Sequence, residues 1–225
     1  MTLRQQEFLA PGTWTCPPTT TQVEVFLVGG GSGGYLTPFY TGGAGGAVRT
    51  EVVPVSGPVP VTVGAGGSGQ LGPTASPAAA AQIGGTTSFG PVSAGGGGAT
   101  GYTGGASTSD RNGPGVFAFG GLHTLAPLAA GPNGPGGGAG AGGPGLAYEI
   151  GPPTSPQHAT IGGPGINGYG AGGTFGAPTP VNTSSRGGYF YGVGLANSGA
   201  GGPYVGPGNG SNSGSSGYAI VRWFE

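Results

Sequence analysis

One stretch limits every fold open to this chain. Residues 21–28 read Thr-Gln-Val-Glu-Val-Phe-Leu-Val, which puts Val23, Val25 and Leu27 on one face of a strand. Gly-Gly-Gly-Ser-Gly-Gly follows at 29–34. Six residues with one side chain among them build no conventional core, and sheets are stabilised through side-chain pairs. A strand running straight into near-polyglycine therefore sets the plan. A few strands must hold a large glycine scaffold.

The scaffold is large because 60 of the 225 residues are Gly and 23 are Pro. Without a strict period, such a content lies above the roughly 25–30% that marks disordered chains. Charge argues the other way. Only 5% of residues are charged and the mean hydropathy is +0.02, whereas a solvated disordered chain carries high net charge and little apolar content. An ordered glycine-rich fold is expected. Glycine loses the most conformational freedom on folding. Backbone hydrogen bonds, close glycine–glycine packing and contacts between copies must therefore supply what so small a core lacks.

Several function classes fall away. The net charge is −1, from five Arg and six acidic residues, with no charge cluster. Nucleic-acid binding needs a basic face, and none is present. Cys16 is the single cysteine, so no disulfide framework or Cys-based metal site forms, and a buried, inert thiol is expected. No apolar run nears the ~18 residues of a membrane span, and residues 1–10 hold no signal-like apolar region. The chain is expected to stay in a cytosol or to assemble there into something larger.

Taken in order, 5–16 predicts two short strands about the Pro11-Gly12 turn, and 21–28 follows. Residues 48–55 and 59–63 are the next strands, with Val59, Val61 and Val63 on one face. Pro54, Pro58 and Pro60 remove ladder donors and predict edge positions. Residues 86–93 are a further candidate, and Tyr218-Ala-Ile-Val-Arg-Trp-Phe224 is the last. The ends of the chain thus supply the strands and the middle supplies the glycine. In the middle, Gly131, Gly134, Gly137, Gly140 and Gly143 recur every third residue, as do Gly95, Gly98, Gly101 and Gly104, and Gly162, Gly165 and Gly168. Glycine once per turn of a threefold extended helix lets another backbone approach. The register breaks at Ser107 and Leu146, so several short helices packed side by side are expected, not collagen. The fold class is all-β: a small β-sandwich of N- and C-terminal strands with a polyglycine-II-like helical insertion. The sandwich takes residues 1–93 and 218–225, and the insertion takes 94–217.

No constellation points to catalysis. Gly29-x-Gly31-x-x-Gly34 follows a strand as a dinucleotide fingerprint does, but Pro38 and more glycine stand where the motif needs a helix. His123 and His158 fall in loop-like segments without carboxylates at ligand spacing. Asp110-Arg-Asn-Gly113 is turn chemistry. Asn182 and Asn209 head sequons that carry no meaning without a secretion signal. No enzyme activity, metal or cofactor is expected. Aromatics are the suggestive group: Tyr35, Phe39 and Tyr40 in one loop, and Tyr189, Phe190 and Tyr191 beside Arg186 in another. Rigid aromatic area suits a recognition loop. Tyr102, Tyr148, Tyr169, Phe175 and Tyr204 are strewn among the glycines, and for all of these aromatics, the two loop groups included, the alternative role is to plug gaps between glycine helices or subunits.

Several blocks then resemble a known group. These are Phe8-x-x-Pro11-Gly-Thr-Trp-Thr-x-Pro17, Val23-x-Val25-x-Leu27-Val-Gly-Gly-Gly, Gly42-Gly-Ala-Gly-Gly46 and Val61-Thr-Val-Gly-Ala-Gly-Gly67. With 84–90 and the closing Gly217-Tyr-Ala-Ile-Val-Arg-Trp223, they resemble the glycine-rich domain of tailed-phage tail and fibre proteins. The resemblance is specific at the ends and compositional in the middle. It implies a virion structural protein, a tail-fibre or minor tail component, commonly a homotrimer, sometimes an adhesin for a host cell-surface glycan or protein. Its partners would be its own copies and other tail proteins, and its place the virion tail, assembled in the host cytoplasm. No separate attachment domain is evident, which implies a complete small protein docking by its β end. A capsid decoration protein and a glycine-rich wall or matrix protein are the alternatives.

Overall fold

The computed structural model describes residues 2–34, 43–69, 83–98, 146–150, 157–161, 165, 169–170, 199–202 and 213–225. Among them the chain is all strand and extended segment, with no helix. The alternation that predicts strands does produce them: β1 (Leu3–Phe8), β2 (Gly12–Trp14), β3 (Gln22–Val28), β4 (Val48–Pro54) and β5 (Val59–Thr62). They are followed by β6 (Thr87–Phe89), β7 (Val92–Ala94), β8 (Leu146–Ile150), β9 (Gln157–Ile161) and β10 (Tyr218–Phe224).

Two antiparallel four-stranded sheets result, one ordered β1-β10-β3-β4 and the other β2-β5-β6-β7. The last strand lies between the first and the third, with Phe8 opposite Ala219 and Val25 opposite Val221. The two ends of the sequence therefore share one sheet, as their matching alternation predicts, with β3 in its interior. Burial follows the period of two along β3: Val23, Val25 and Leu27 are buried while Glu24 is exposed. The two sheets close on one core, in which Phe8, Val23, Val25, Leu27, Val53, Ala219 and Val221 meet Trp14, Val61, Phe89 and Val92. Trp14 is fully buried, with the Phe89 and Trp223 rings at centroid distances of 5.8 and 5.6 Å. Tilted and edge-on aromatic pairs of this kind add about 0.5–1.5 kcal/mol beyond their buried area.

Local chemistry fixes the connections. The β6–β7 hairpin turns on Gly90 and Pro91, with Phe89 opposite Val92 and Gly90 at φ 54°. Glycine at the first central position is what a two-residue type II′ turn requires. Arg49 Nη1 donates to the Ser93 carbonyl at 3.0 Å and ties the edge of one sheet to the edge of the other.

Four expectations need correction. β5 is interior, between β2 and β6, despite Pro60. The Pro60 carbonyl accepts from Gly90 N–H at 3.1 Å, so the missing amide faces β6 where that strand is already turning. Second, the middle of the chain is not strand-free. β8 and β9 pair antiparallel from Leu146↔Ile161 to Ile150↔Gln157. Third, His158 is on a strand, at a register position opposite Glu149. Fourth, Cys16 is half-buried against the core rather than enclosed by it.

Candidate functional site

Every described glycine-rich segment meets the sandwich at one end. Residues 29–34, 64–69 and 95–98 lead away from β3, β5 and β7, while 43–47, 83–86 and 213–217 lead into β4, β6 and β10. Residues 199–202 also run outward, because Gly199 backs onto Val28 and Gly29 whereas Gly202 N–H reaches the Ser32 carbonyl. Four of these segments lie within residues 1–93, so the glycine scaffold begins inside the strand-bearing part of the sequence.

The segment at 29–34 is the axis of the others. Gly29 N–H donates to Ala47 O at 2.9 Å, Gly30 to Gly85 O at 2.9 Å, and Gly31 to Ser215 O at 2.9 Å. Ser32 then returns to the first neighbour, donating to Ala44 O at 2.8 Å. Three partners in rotation, repeating at the fourth residue, is the pattern of three residues per turn. The axis also accepts: Gly97 N–H donates to Gly30 O, Gly67 to Gly31 O and Gly202 to Ser32 O, each at 2.8 Å. It thus gives hydrogen bonds to the three segments that run antiparallel to it and receives them from the three that run parallel.

The six neighbours are joined to one another as well. Ala47 N–H reaches Gly95 O, Gly84 reaches Gly97 O, and Gly85 reaches Ala65 O. Gly214 reaches Gly67 O, Gly199 reaches Ser216 O, and Gly46 reaches Gly199 O, which closes the ring. Outgoing and incoming segments alternate around it. Burial along 64–69 carries the same period of three, with Gly64 and Gly67 buried and Ala65 and Ser68 exposed.

At the closest approaches only glycine permits this spacing. A Cβ on Gly31 would land on the Ala200 carbonyl oxygen, and one on Gly46 on the Gly29 oxygen. The α-hydrogens there point at carbonyls of the next segment, an arrangement that adds weak Cα–H···O contacts to the N–H bonds. Where side chains enter, they complete the backbone bonding. Ser32 Oγ accepts Ala44 N–H at 2.8 Å. Thr87, fully buried, donates its hydroxyl to Val28 O at 2.6 Å and accepts Gly64 N–H at 3.0 Å. That one hydroxyl sits where the pleated strands give way to the threefold repeat.

A second cluster lies on the outer face of the first sheet, next to the array. Val28, Val48, Tyr218 and Ile220 are buried there, with Phe26 and Tyr169 packed against them. Tyr169 stacks on Tyr218 at 5.8 Å and 6°, and meets Phe26 edge-on at 5.2 Å. Burial pushes the Tyr218 hydroxyl up to about 12, and its hydrogen bond to the Glu7 carboxylate adds to the rise. The described residues also form exposed or half-buried ion pairs: Arg222–Glu24 at 2.8 Å, Arg49–Glu51 at 2.7 Å and Arg4–Glu225 at 3.2 Å. Exposed pairs are worth about 0–1 kcal/mol each. Among the described residues no three His, Cys, Asp or Glu side chains gather as a metal site requires, and no helix is long and apolar enough to cross a membrane.

The sequence-predicted recognition residues Tyr35, Phe39, Tyr40, Arg186, Tyr189, Phe190 and Tyr191 lie outside the described residues, as does the triplet run at 131–145. Their flanks are described. Gly34 and Gly43, on either side of the first group, are at the end of the array remote from the sandwich; Gly170 and Gly199, on either side of the second, are at the sandwich end. Tyr169 is placed as a packing residue, one of the two roles open to the scattered aromatics. A family model for a glycine-rich domain matches residues 5–224. None of the curated proteins matches the chain.

Proposed function

The chain belongs to the glycine-rich domain family, and from that premise we propose that it is a non-enzymatic structural protein of a tailed-phage virion. It serves as a tail-fibre or minor tail component, and its glycine segments form a polyglycine-II lattice that continues through the glycine-rich residues of 94–217. The observation that carries this reading is the ring of six segments hydrogen-bonded around residues 29–34. Such an array is held by backbone rather than by a large core, and it offers little to a protease or a change of salt. That suits a part that works outside a cell. The motif residues that resemble phage tail domains are also those the architecture uses. Trp14, Val23, Val25, Leu27 and Val221 fill the core, and 29–31, 43–46, 64–67 and 217 build the array.

The protein docks by the sandwich end, where Leu3, Val52 and Phe224 are 56–59% exposed, and it assembles as a homotrimer with other tail proteins as neighbours. Its second role is adhesion. Tyr35, Phe39 and Tyr40, carried between Gly34 and Gly43 at the remote end of the array, and Arg186, Tyr189, Phe190 and Tyr191 contact a host glycan or protein. Mass spectrometry of purified particles, with sedimentation of the isolated protein, tests the reading. The protein is expected in the tail fraction and as a trimer. Its absence from particles, or a stable 21.1 kDa monomer with no affinity for tail proteins, would overturn the assembly role. For adhesion, Tyr40→Ala and Tyr191→Ala particles should adsorb poorly; normal adsorption would remove the recognition role alone.

A further inference from the structure

We infer that β1 is the strand through which two copies of the chain join, pairing antiparallel about a two-fold axis at Gln5, so that their β1-β10-β3-β4 sheets become one. The two sheets have four edges, and three of them are blunted. β2 and β7 are three residues long, and β4 is largely covered, ends on Pro54 and is tied at Arg49 to the Ser93 carbonyl. β1 is the exception. It runs six residues without Pro or Gly, in unbroken register with β10 from Leu3↔Phe224 to Phe8↔Ala219. Leu3, Arg4, Gln5, Gln6 and Glu7 are all exposed, on both faces of the strand, so neither the second sheet nor the array overhangs this edge. A long, regular edge without proline, bulge or cover is a template for another strand. Its two charges are engaged within their own chain, Arg4 by Glu225 and Glu7 by the Tyr218 hydroxyl.

The direction of the free backbone groups follows from the end of the ladder. Thr2 N–H donates to Glu225 O, and Glu225 N–H donates to Thr2 O at 3.0 Å. Thr2 and Glu225 are thus a hydrogen-bonded pair, and such pairs alternate along an antiparallel ladder. Arg4, Gln6 and Phe8 therefore turn their amides and carbonyls to β10, while Leu3, Gln5 and Glu7 turn theirs outward.

These outward groups are self-complementary. With Gln5 opposite Gln5 of a second copy, Leu3 lies opposite Glu7 and Glu7 opposite Leu3, and each of these pairs exchanges two backbone bonds. Moving the axis to Arg4 or to Gln6 loses one of the pairs. At Arg4 it would also set two guanidinium groups against each other, which is destabilising. With the axis at Gln5, Arg4 faces Gln6 of the other copy and no like charges meet. The contact goes beyond the homotrimer proposed above and does not rest on it. A two-fold contact closes on two copies, so it yields a dimer by itself and a hexamer where trimers form.

Sedimentation of the full chain tests the pairing. Gln5→Pro removes an outward amide and spares the ladder to β10, a place where an edge strand tolerates proline, and it should halve the native mass. Gln5→Glu and Gln5→Lys each place like charges on the axis and should do the same, and mixing these two variants should restore the native mass. Gln6→Glu faces Arg4 of the second copy and should leave the mass unchanged. Halving from dimer to the 21.1 kDa monomer would uphold the pairing and contradict the trimer; halving from hexamer to trimer would uphold both. A native mass that Gln5→Pro leaves unchanged would overturn the pairing of copies and leave the edge to a strand of another protein. A mixture of Gln5→Glu and Gln5→Lys that stays apart, or dissociation by Gln6→Glu, would overturn it as well.

Discussion

The sandwich and the glycine array meet at Val28 and solve the same problem by opposite means. In the sandwich, side chains decide which strands are neighbours: Trp14, Leu27 and Phe89 interlock, and a one-residue slip would turn every buried residue to solvent. In the array there are almost no side chains, and the neighbours of residues 29–34 are chosen by backbone hydrogen bonds that any glycine could make. The sandwich therefore supplies the register that the array lacks. Each described glycine segment except 199–202 is spliced directly to a strand whose position is already fixed by packing. Removing atoms should harm the first region, and adding atoms should harm the second.

The largest effect expected is in the sandwich. Trp14→Ala leaves a cavity bounded by Phe89 and Trp223 and should cost about 3–5 kcal/mol, read as a fall in denaturation midpoint. Next comes the reverse change in the array. Gly31→Ala adds one methyl where the Ala200 carbonyl already sits and should cost about 2–4 kcal/mol. Gly57→Ala is the control, since nothing lies within 4 Å of a Cβ there, and it should be neutral or stabilise by about 0.4–1 kcal/mol. Equal effects at Gly31 and Gly57 would erase the distinction between the two regions.

The junction gives a smaller effect with a sharper discriminator. Thr87→Val keeps the shape but strands the Val28 carbonyl and the Gly64 amide, at a cost of about 1–3 kcal/mol. Thr87→Ser, which keeps the hydroxyl, should recover most of it.

These positions also show how far the sequence was readable. β3 and β10, with alternating apolar residues over seven positions each, were legible in extent and in partnership, because each needs a sheet to bury one face. The β8–β9 hairpin was not, since five-residue strands flanked by Pro and Gly carry too little alternation to stand out. Polyglycine at 29–34 was legible as the organising stretch, but its six partners were not. Identical residues hold no information about which glycine run lies beside which; that information resides in the strands at their ends. Thr87 was missed for a related reason: a lone threonine in a short strand has no local signal, and only the meeting of three segments gives its hydroxyl a task. Tyr35, Phe39, Tyr40, Arg186, Tyr189, Phe190 and Tyr191 stand on sequence alone, with only their flanks described.

The smallest effect is a titration. Tyr218 has a folded pKa of about 12 against an ordinary 10. Its contribution to stability is therefore complete below pH 10 and is lost as pH climbs toward 12. Phenolate absorbance compared between the native chain and Tyr218→Phe should assign to Tyr218 an ionisation well above pH 10, together with loss of the Tyr169 stack. Ionisation of Tyr218 near 10 would contradict the burial assigned to that ring.

Amide hydrogen exchange resolved to single residues tests the central claim most directly. If the ring of six segments holds residues 29–34 as its axis, the amides of Gly29, Gly30, Gly31 and Ser32 exchange only on global unfolding, as slowly as Val25 in the sandwich core. Exchange of these four at the rate of an exposed loop, while Val25 stays protected, would contradict the account.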